Sequence, residues 1–167
     1  MSKKNGSVRS SKAHAARVRL FQILCALDLV EGELPQSEVE LRFEELFVRP
    51  EKEASAQETQ DDDPDEEAIG TSSDAFQASC AEACSLRSHL PEIDSMIVAH
   101  ATGWSIRRMS LVDRTLIRLA IYECLIVKTV PVAIALSEAV LLAKEFGSAD
   151  SPRFVNGVLA RVVREGQ

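Results

Sequence analysis

MSLVDRTLIRLAIYECLIV, residues 109–127, is apolar over too much of a helical circumference to form a single stripe. Leu116, Leu119 and Ala120 share one arc, and Ile117, Ile121, Cys124 and Leu125 share the next. Such a helix needs neighbours on several sides, so the segment is expected to be a central core helix. Pro131 ends it, and no Gly or Pro interrupts it before then. Asp113, Arg114, Arg118 and Glu123 interrupt its apolar surface, which does not suit a membrane span.

Downstream, VAIALSEAVLLAKEFG is expected to be a helix that buries Ala135, Ala139, Leu142 and Phe146. Gly147 reads as a left-handed residue closing it. After residues 148–151, Asp150 or Ser151 caps a last helix, with Pro152 in its first turn. Phe154, Val155, Val158, Leu159 and Val162 form its apolar side, and Asn156 and Gly157 are assigned to close helix packing or a backbone hydrogen bond. Upstream, Asp74 or Ser73 caps a helix over residues 75–89 that places Phe76, Cys80, Ala83, Cys84 and Leu86 inward. Leu90-Pro91 permits a break before a short helix carrying Ile93, Met96, Ile97 and His100, and Trp104 is expected to plug a seam between helices. Arg114 and Arg118 lie four apart, ready for carboxylates on an adjacent helix or another molecule.

Residues 1–11 read as a basic tail without fixed structure, followed by a helix from Lys12 or Ala13 to about Val30. Its buried stripe is Leu20, Ile23, Leu24 and Leu27. Lys12 and Arg19 share one flank, with Arg17 on the other side. A short helix is expected over residues 37–47, and residues 49–72 form an acidic loop with almost nothing to bury. The domain proper is therefore one helical unit over residues 12–167. Hydrophobic content of 46% with 5% aromatics favours this all-α reading over a β-sandwich.

No metal or cofactor motif is present. DDDPDEE lacks EF-hand spacing, and Cys80 with Cys84 is a single pair where structural zinc uses two. Cys25, Cys80, Cys84 and Cys124 read as reduced core thiols in a cytoplasmic protein, with no catalytic arrangement around them. The net charge of −7 conceals an asymmetry: residues 1–20 carry six cations and no acid, whereas residues 51–67 carry nine acids and one lysine. An acidic chain with a cationic leading edge is compatible with a nucleic-acid partner.

VDRTLIRLAIYE together with VPVAIALSEAVLLAKEFGSADSPRFVNGVLARV resembles the NusB family of bacterial transcription antitermination factors. Asp113-Arg114, Glu138-Ala139, Ala143-Lys144, Phe146-Gly147 and Phe154–Leu159 carry the resemblance, with Ala16-Arg17 and Leu20–Leu24 matching more weakly. It implies an all-α bundle of about seven helices in two packed subdomains. It further implies a non-catalytic adaptor that, with the ribosomal protein NusE, binds single-stranded boxA RNA. That complex acts with RNA polymerase and other Nus factors to read through terminators in rRNA operons. A homodimer of the free protein is compatible with the resemblance.

On this reading Lys12, Arg17, Arg19, Asp150, Ser151, Arg153 and Phe154 are the RNA-contact candidates, and Asp113, helped by the region of Cys25, faces NusE. His14 and Ala15 stand where the family pattern carries arginine. The residues alone leave plainer roles open: Phe154 as core, Asp150 as an N-cap, and Asp113 as a partner of the helix dipole. Two alternatives accompany the main reading. One is a helical protein-interaction module without RNA binding. The other is the RNA-binding module related to rRNA cytosine methyltransferases, disfavoured because residues 1–167 contain no Gly-rich cofactor motif.

Overall fold

A computed structural model describes residues 4–29, 73–100 and 105–165. The expected helix at 37–47, the acidic loop at 49–72 and Trp104 lie outside them, as do the side chains before Lys12. The described residues form six α-helices: α1 (Lys4–Asp28), α2 (Ser73–Ser88), α3 (Leu90–His100), α4 (Leu111–Ile121), α5 (Val132–Phe146) and α6 (Ser151–Glu165). A 3₁₀ turn (Ile106–Arg108) precedes α4 and a π turn (Tyr122–Ile126) extends it. No described helix is long and apolar enough to cross a membrane.

Helix α4 sits in the middle, against α1, α5, α6 and α3, as its wide apolar arc requires. Leu116, Ile117, Leu119, Ala120 and Ile121 are all buried. The segment is not one uniform helix, however. Its first turn is set by Ser110, whose hydroxyl accepts from the Asp113 N–H at 3.0 Å, two residues inside the expected start. At the other end the ladder widens, with the Val127 N–H donating to the Tyr122 carbonyl at 3.0 Å. The wider turn buries Tyr122, Glu123 and Cys124 in succession, which brings a carboxylate into the core beside α1. Lys128, at φ 54°, then turns the chain away.

Helix α1 begins at Lys4, so residues 4–11, expected as part of a structureless tail, are helical. No proline stands between Lys4 and Asp28 to stop the ladder from running on toward the N-terminus. Its stripe of Leu20, Ile23, Leu24 and Leu27 is buried as expected, with Phe21 added. The Phe21 ring meets Phe146 of α5 at 5.2 Å between centroids, and so ties the middle of α1 to the end of α5.

The paired arginines of α4 find carboxylates on two neighbours. Arg118 grips Asp94 of α3 with two bonds of 2.8 Å, and Arg114 Nε donates to Asp28 of α1 at 3.0 Å. Burial works against the Arg118 charge, but Asp94 and Asp28 more than offset it and hold the guanidinium above its usual value.

Gly147 departs from expectation. Its φ of −96° and ψ of −173° are extended, not left-handed. Glycine is required there by space: a Cβ would lie 2.5 Å from the Ser151 Cβ and 2.6 Å from the Ala143 carbonyl oxygen. Gly157 is the opposite case, since a Cβ there would meet nothing within 4 Å. It does not serve close packing. Gly157→Ala is therefore expected to stabilise the protein by about 0.5–1 kcal/mol, the ordinary helix-interior preference of alanine. Urea denaturation would read this as a higher midpoint at unchanged slope.

Candidate nucleic-acid interface

The turn between α5 and α6 is built around one hydroxyl. Ser151, buried at the first position of α6, accepts from the Ser148 N–H at 2.9 Å and lies 3.1 Å from the Ser148 hydroxyl. The Ser151 N–H donates back to the Ser148 carbonyl at 3.1 Å. This small reciprocal network fixes where α6 starts, and Gly147 leaves room for it. Asp150 stands exposed just before the helix, with its carbonyl accepting from the Phe154 N–H at 3.0 Å.

Beside this turn lies an open cavity of about 770 Å³, a size suited to a small ligand or part of a larger one. Asp150, Ser151, Arg153 and Phe154 line one wall. Gly157 and Arg161 continue it along the same face of α6, one and two turns beyond Arg153. The opposite wall comes from the start of α4 and the turn before it, with Arg108, Ser110 and Asp113, and from His100 at the end of α3. Phe154 is half-buried, its ring part of the wall and also packed against the core. Arg108 and Arg153 are exposed. His100 Nδ1 pairs with Glu165 at 2.8 Å, which pins the end of α3 to the end of α6.

Asp113, expected as an outward partner contact, is instead buried, at 9% exposure. Its Oδ1 has no hydrogen-bond partner among the described residues. The capping role of Ser110 explains the placement: as the third residue of the helix, Asp113 turns inward beside the first free N–H groups. Cys25 lies elsewhere, half-buried on α1. Burial pushes its thiol up, a hydrogen bond with Thr115 works the other way, and Asp28 and Arg114 lie close enough to be felt. The two residues assigned to one protein partner thus do not form one exposed patch.

The three RNA-contact candidates of α1 divide three ways. Lys12 is exposed. Arg19 Nε donates to the Ser79 hydroxyl of α2 at 3.3 Å. Arg17 is partly buried, its side chain 11% exposed, with Nε reaching both Glu123 oxygens at 2.9 and 3.0 Å. Glu138 lies 3.7 Å from Arg17 and 2.9 Å from His14, and His14 also lies 3.7 Å from Glu145. Arg17 is thereby a brace within the fold and does not project toward solvent. Lys12, Arg17 and Arg19 do not line the cavity. What connects the two regions is the end of α5, since His14 reaches Glu145 and the next residues are Phe146, Gly147 and the turn itself.

Sequence reasoning missed Arg108, Arg161 and His100. Arg161 was findable, because Arg153, Gly157 and Arg161 fall at steps of four along one helical face. Arg108 was not, because nothing in the run Arg107-Arg108 tells which of the two points to the cavity.

A model of the NusB family matches residues 14–164 of this chain. The chain belongs to the NusB family. The transcription antitermination protein NusB of Salinispora arenicola is 49% identical over 74 residues, which are 44% of this chain and 54% of that protein. The protein of the same description from Acidothermus cellulolyticus is 54% identical over 74 residues, 44% of this chain and 51% of its own length. The chain thus spans about half the length of these curated NusB relatives. Among solved structures, T. maritima NusB superposes with a TM-score of 0.65 at 28% identity, covering 91% of this chain and 90% of that one. A structure of the antitermination factors NusB and NusE in complex with dsRNA gives 0.62 at 26% identity, covering 93% and 98%. The NusB fold is all-α, as the six described helices are.

Proposed function

We propose that this chain is a non-catalytic antitermination adaptor that binds single-stranded RNA of boxA type at the cavity beside the α5–α6 turn. A NusE-like ribosomal protein strengthens that binding by docking beside the cavity. RNA polymerase and further Nus factors join this complex in the cytoplasm, and read-through in rRNA operons is the outcome. The observation that carries the reading is the convergence of Asp150, Arg153 and Phe154 with Arg108 on one open cavity. Cations for phosphates, an aromatic edge for bases and carboxylates for base amino groups are what an unpaired strand needs. A continuous duplex would hide the base edges that Phe154 and the aspartates could read, so an unstacked strand is the better fit. The strand is proposed to continue past the end of α5 toward Lys12, which would add phosphate contacts outside the cavity. In this scheme Arg17 and Ser151 hold the surfaces in place and do not touch RNA.

The test is a salt titration of RNA binding by fluorescence anisotropy, with boxA-type RNA, with and without the ribosomal protein. Weak binding alone, tighter binding with the partner, and a log–log salt slope of about −0.7 per phosphate neutralised are expected. No RNA affinity at low salt under either condition would leave only the protein-interaction reading.

A further inference from the structure

The Asp113 carboxylate has no place in a purely phosphate-binding surface. It is more than nine-tenths buried, it lines the cavity, and its Oδ1 lacks a donor among the described residues. A buried acceptor without a donor is costly, so a ligand that brings donors to it is favoured. Three arginines, Arg108, Arg153 and Arg161, line the same cavity. They disfavour a lysine or arginine side chain as that ligand, since like charges would be brought together. The combination of an acceptor-only group inside and cations at the rim suits a molecule with neutral N–H donors at one end and phosphate at the other.

We infer that the cavity takes the base of a guanine nucleotide, with Asp113 as the acceptor and Arg108 and Arg153 on the phosphate. This rests on the RNA-binding reading above and gives it a base preference. An ionised carboxylate only accepts hydrogen bonds. Guanine alone among the four RNA bases offers two adjacent donors, N1–H and the N2 amino group, with no acceptor between them. Adenine and cytosine each place a ring acceptor beside their amino group, and uracil flanks its single N–H with two carbonyls. Oδ1 itself is closed off from solvent, so a turn about the soft terminal torsion of Asp113 is what brings it to the base. Phe154, half-exposed in the wall, offers a face or edge for the ring. The open side of the cavity at Gly157 leaves space where any larger residue would put atoms.

The nucleotide can belong to an RNA strand or be free, and two arms separate these sources. In the first, the full chain with its ribosomal-protein partner is titrated with boxA-type RNAs that differ only at guanine positions, each replaced in turn by inosine or adenosine. One position is expected to lose about tenfold or more on change to adenosine, and part of that on change to inosine, which lacks the N2 amino group. Asp113→Asn, which replaces an acceptor by a mixed amide, is expected to abolish the preference, with circular dichroism confirming the helical content. In the second arm GMP, AMP, CMP and UMP are titrated into the chain alone while amide shifts at residues 108–113 and 150–154 are followed. Saturable shifts with GMP only, without base preference in RNA, assign the site to a free nucleotide. RNA binding that is indifferent to every guanine, together with no GMP-specific shifts, overturns the inference and leaves the RNA-binding reading standing. GMP-specific shifts without any RNA affinity keep the site and remove that reading.

Discussion

Arg17→Ala is expected to destabilise the protein by about 3–5 kcal/mol, because it strands a buried carboxylate. Arg17 and Glu123 are 11% and 8% exposed at their side chains, and the π turn delivers Glu123 to that spot. Burial pushes the Glu123 carboxyl above its ordinary value; Arg17 pulls it back, and neighbouring Glu138 adds to the rise. A carboxyl raised in the native state binds its proton more readily there than in the unfolded chain. Its contribution to stability is therefore most favourable in acid and declines as pH climbs from the ordinary carboxylate range through the raised value. Removing Arg17 takes away the one opposing influence, so the decline should steepen. Urea denaturation at about pH 5 and about pH 8 should show a larger gap between wild type and variant at the higher pH. Equal stability of the two proteins at both pH values would mean that the pair does not brace α1 against the core. Arg17→Met combined with Glu123→Leu should recover much of the loss, since paired removal leaves no lone charge inside.

Gly147→Ala is the second large effect and reaches function as well as stability. The backbone angles there are open to any residue, so the penalty is one of overlap. The new methyl would sit 2.5 Å from the Ser151 Cβ and 2.6 Å from both the Ser151 hydroxyl and the Ala143 carbonyl. Overpacking of this kind costs about 1–3 kcal/mol, and the relief available is a shift of the turn itself. Asp150, Arg153 and Phe154 ride on that turn. RNA affinity should thus fall in Gly147→Ala even where the protein remains folded, whereas Gly157→Ala should be more stable than wild type. Thermal melts and RNA titrations on both variants read this opposition directly. If Gly147→Ala melts and binds as wild type does, the close approach is not what the position requires.

Most of the fold was legible because its signals are periodic. The spacing of Leu20, Ile23, Leu24 and Leu27, or of Val155, Val158, Leu159 and Val162, names a buried face without reference to anything distant. The four-residue step between Arg114 and Arg118 likewise announced acids on a neighbour, found as Asp28 and Asp94. What periodicity does not carry is the choice among long-range partners. Arg17 looked like a free cation on a helix flank, and only the tertiary fold brings Glu123, 106 positions away, against it. The π turn was hidden for a related reason: one extra residue in a turn leaves the apolar pattern of Tyr122–Ile126 readable as ordinary helix. Gly147 was read from its position after a helix, a good guide to left-handed glycine but silent about the Ser151 side chain that occupies the space beside it. The candidate site was half legible: its α6 wall followed from the cap and the resemblance, while the facing wall, with Arg108 and His100, depends on how α3 and α4 end against α6.

RNA is proposed to meet the protein at the turn between α5 and α6. Mapping the amide shifts of the labelled chain during titration with boxA-type RNA tests this most directly. Changes centred on residues 108–113 and 148–154 are expected, weakening as salt rises. Changes confined to the outer faces of α2 and α3, with residues 148–154 undisturbed at saturation, would contradict it.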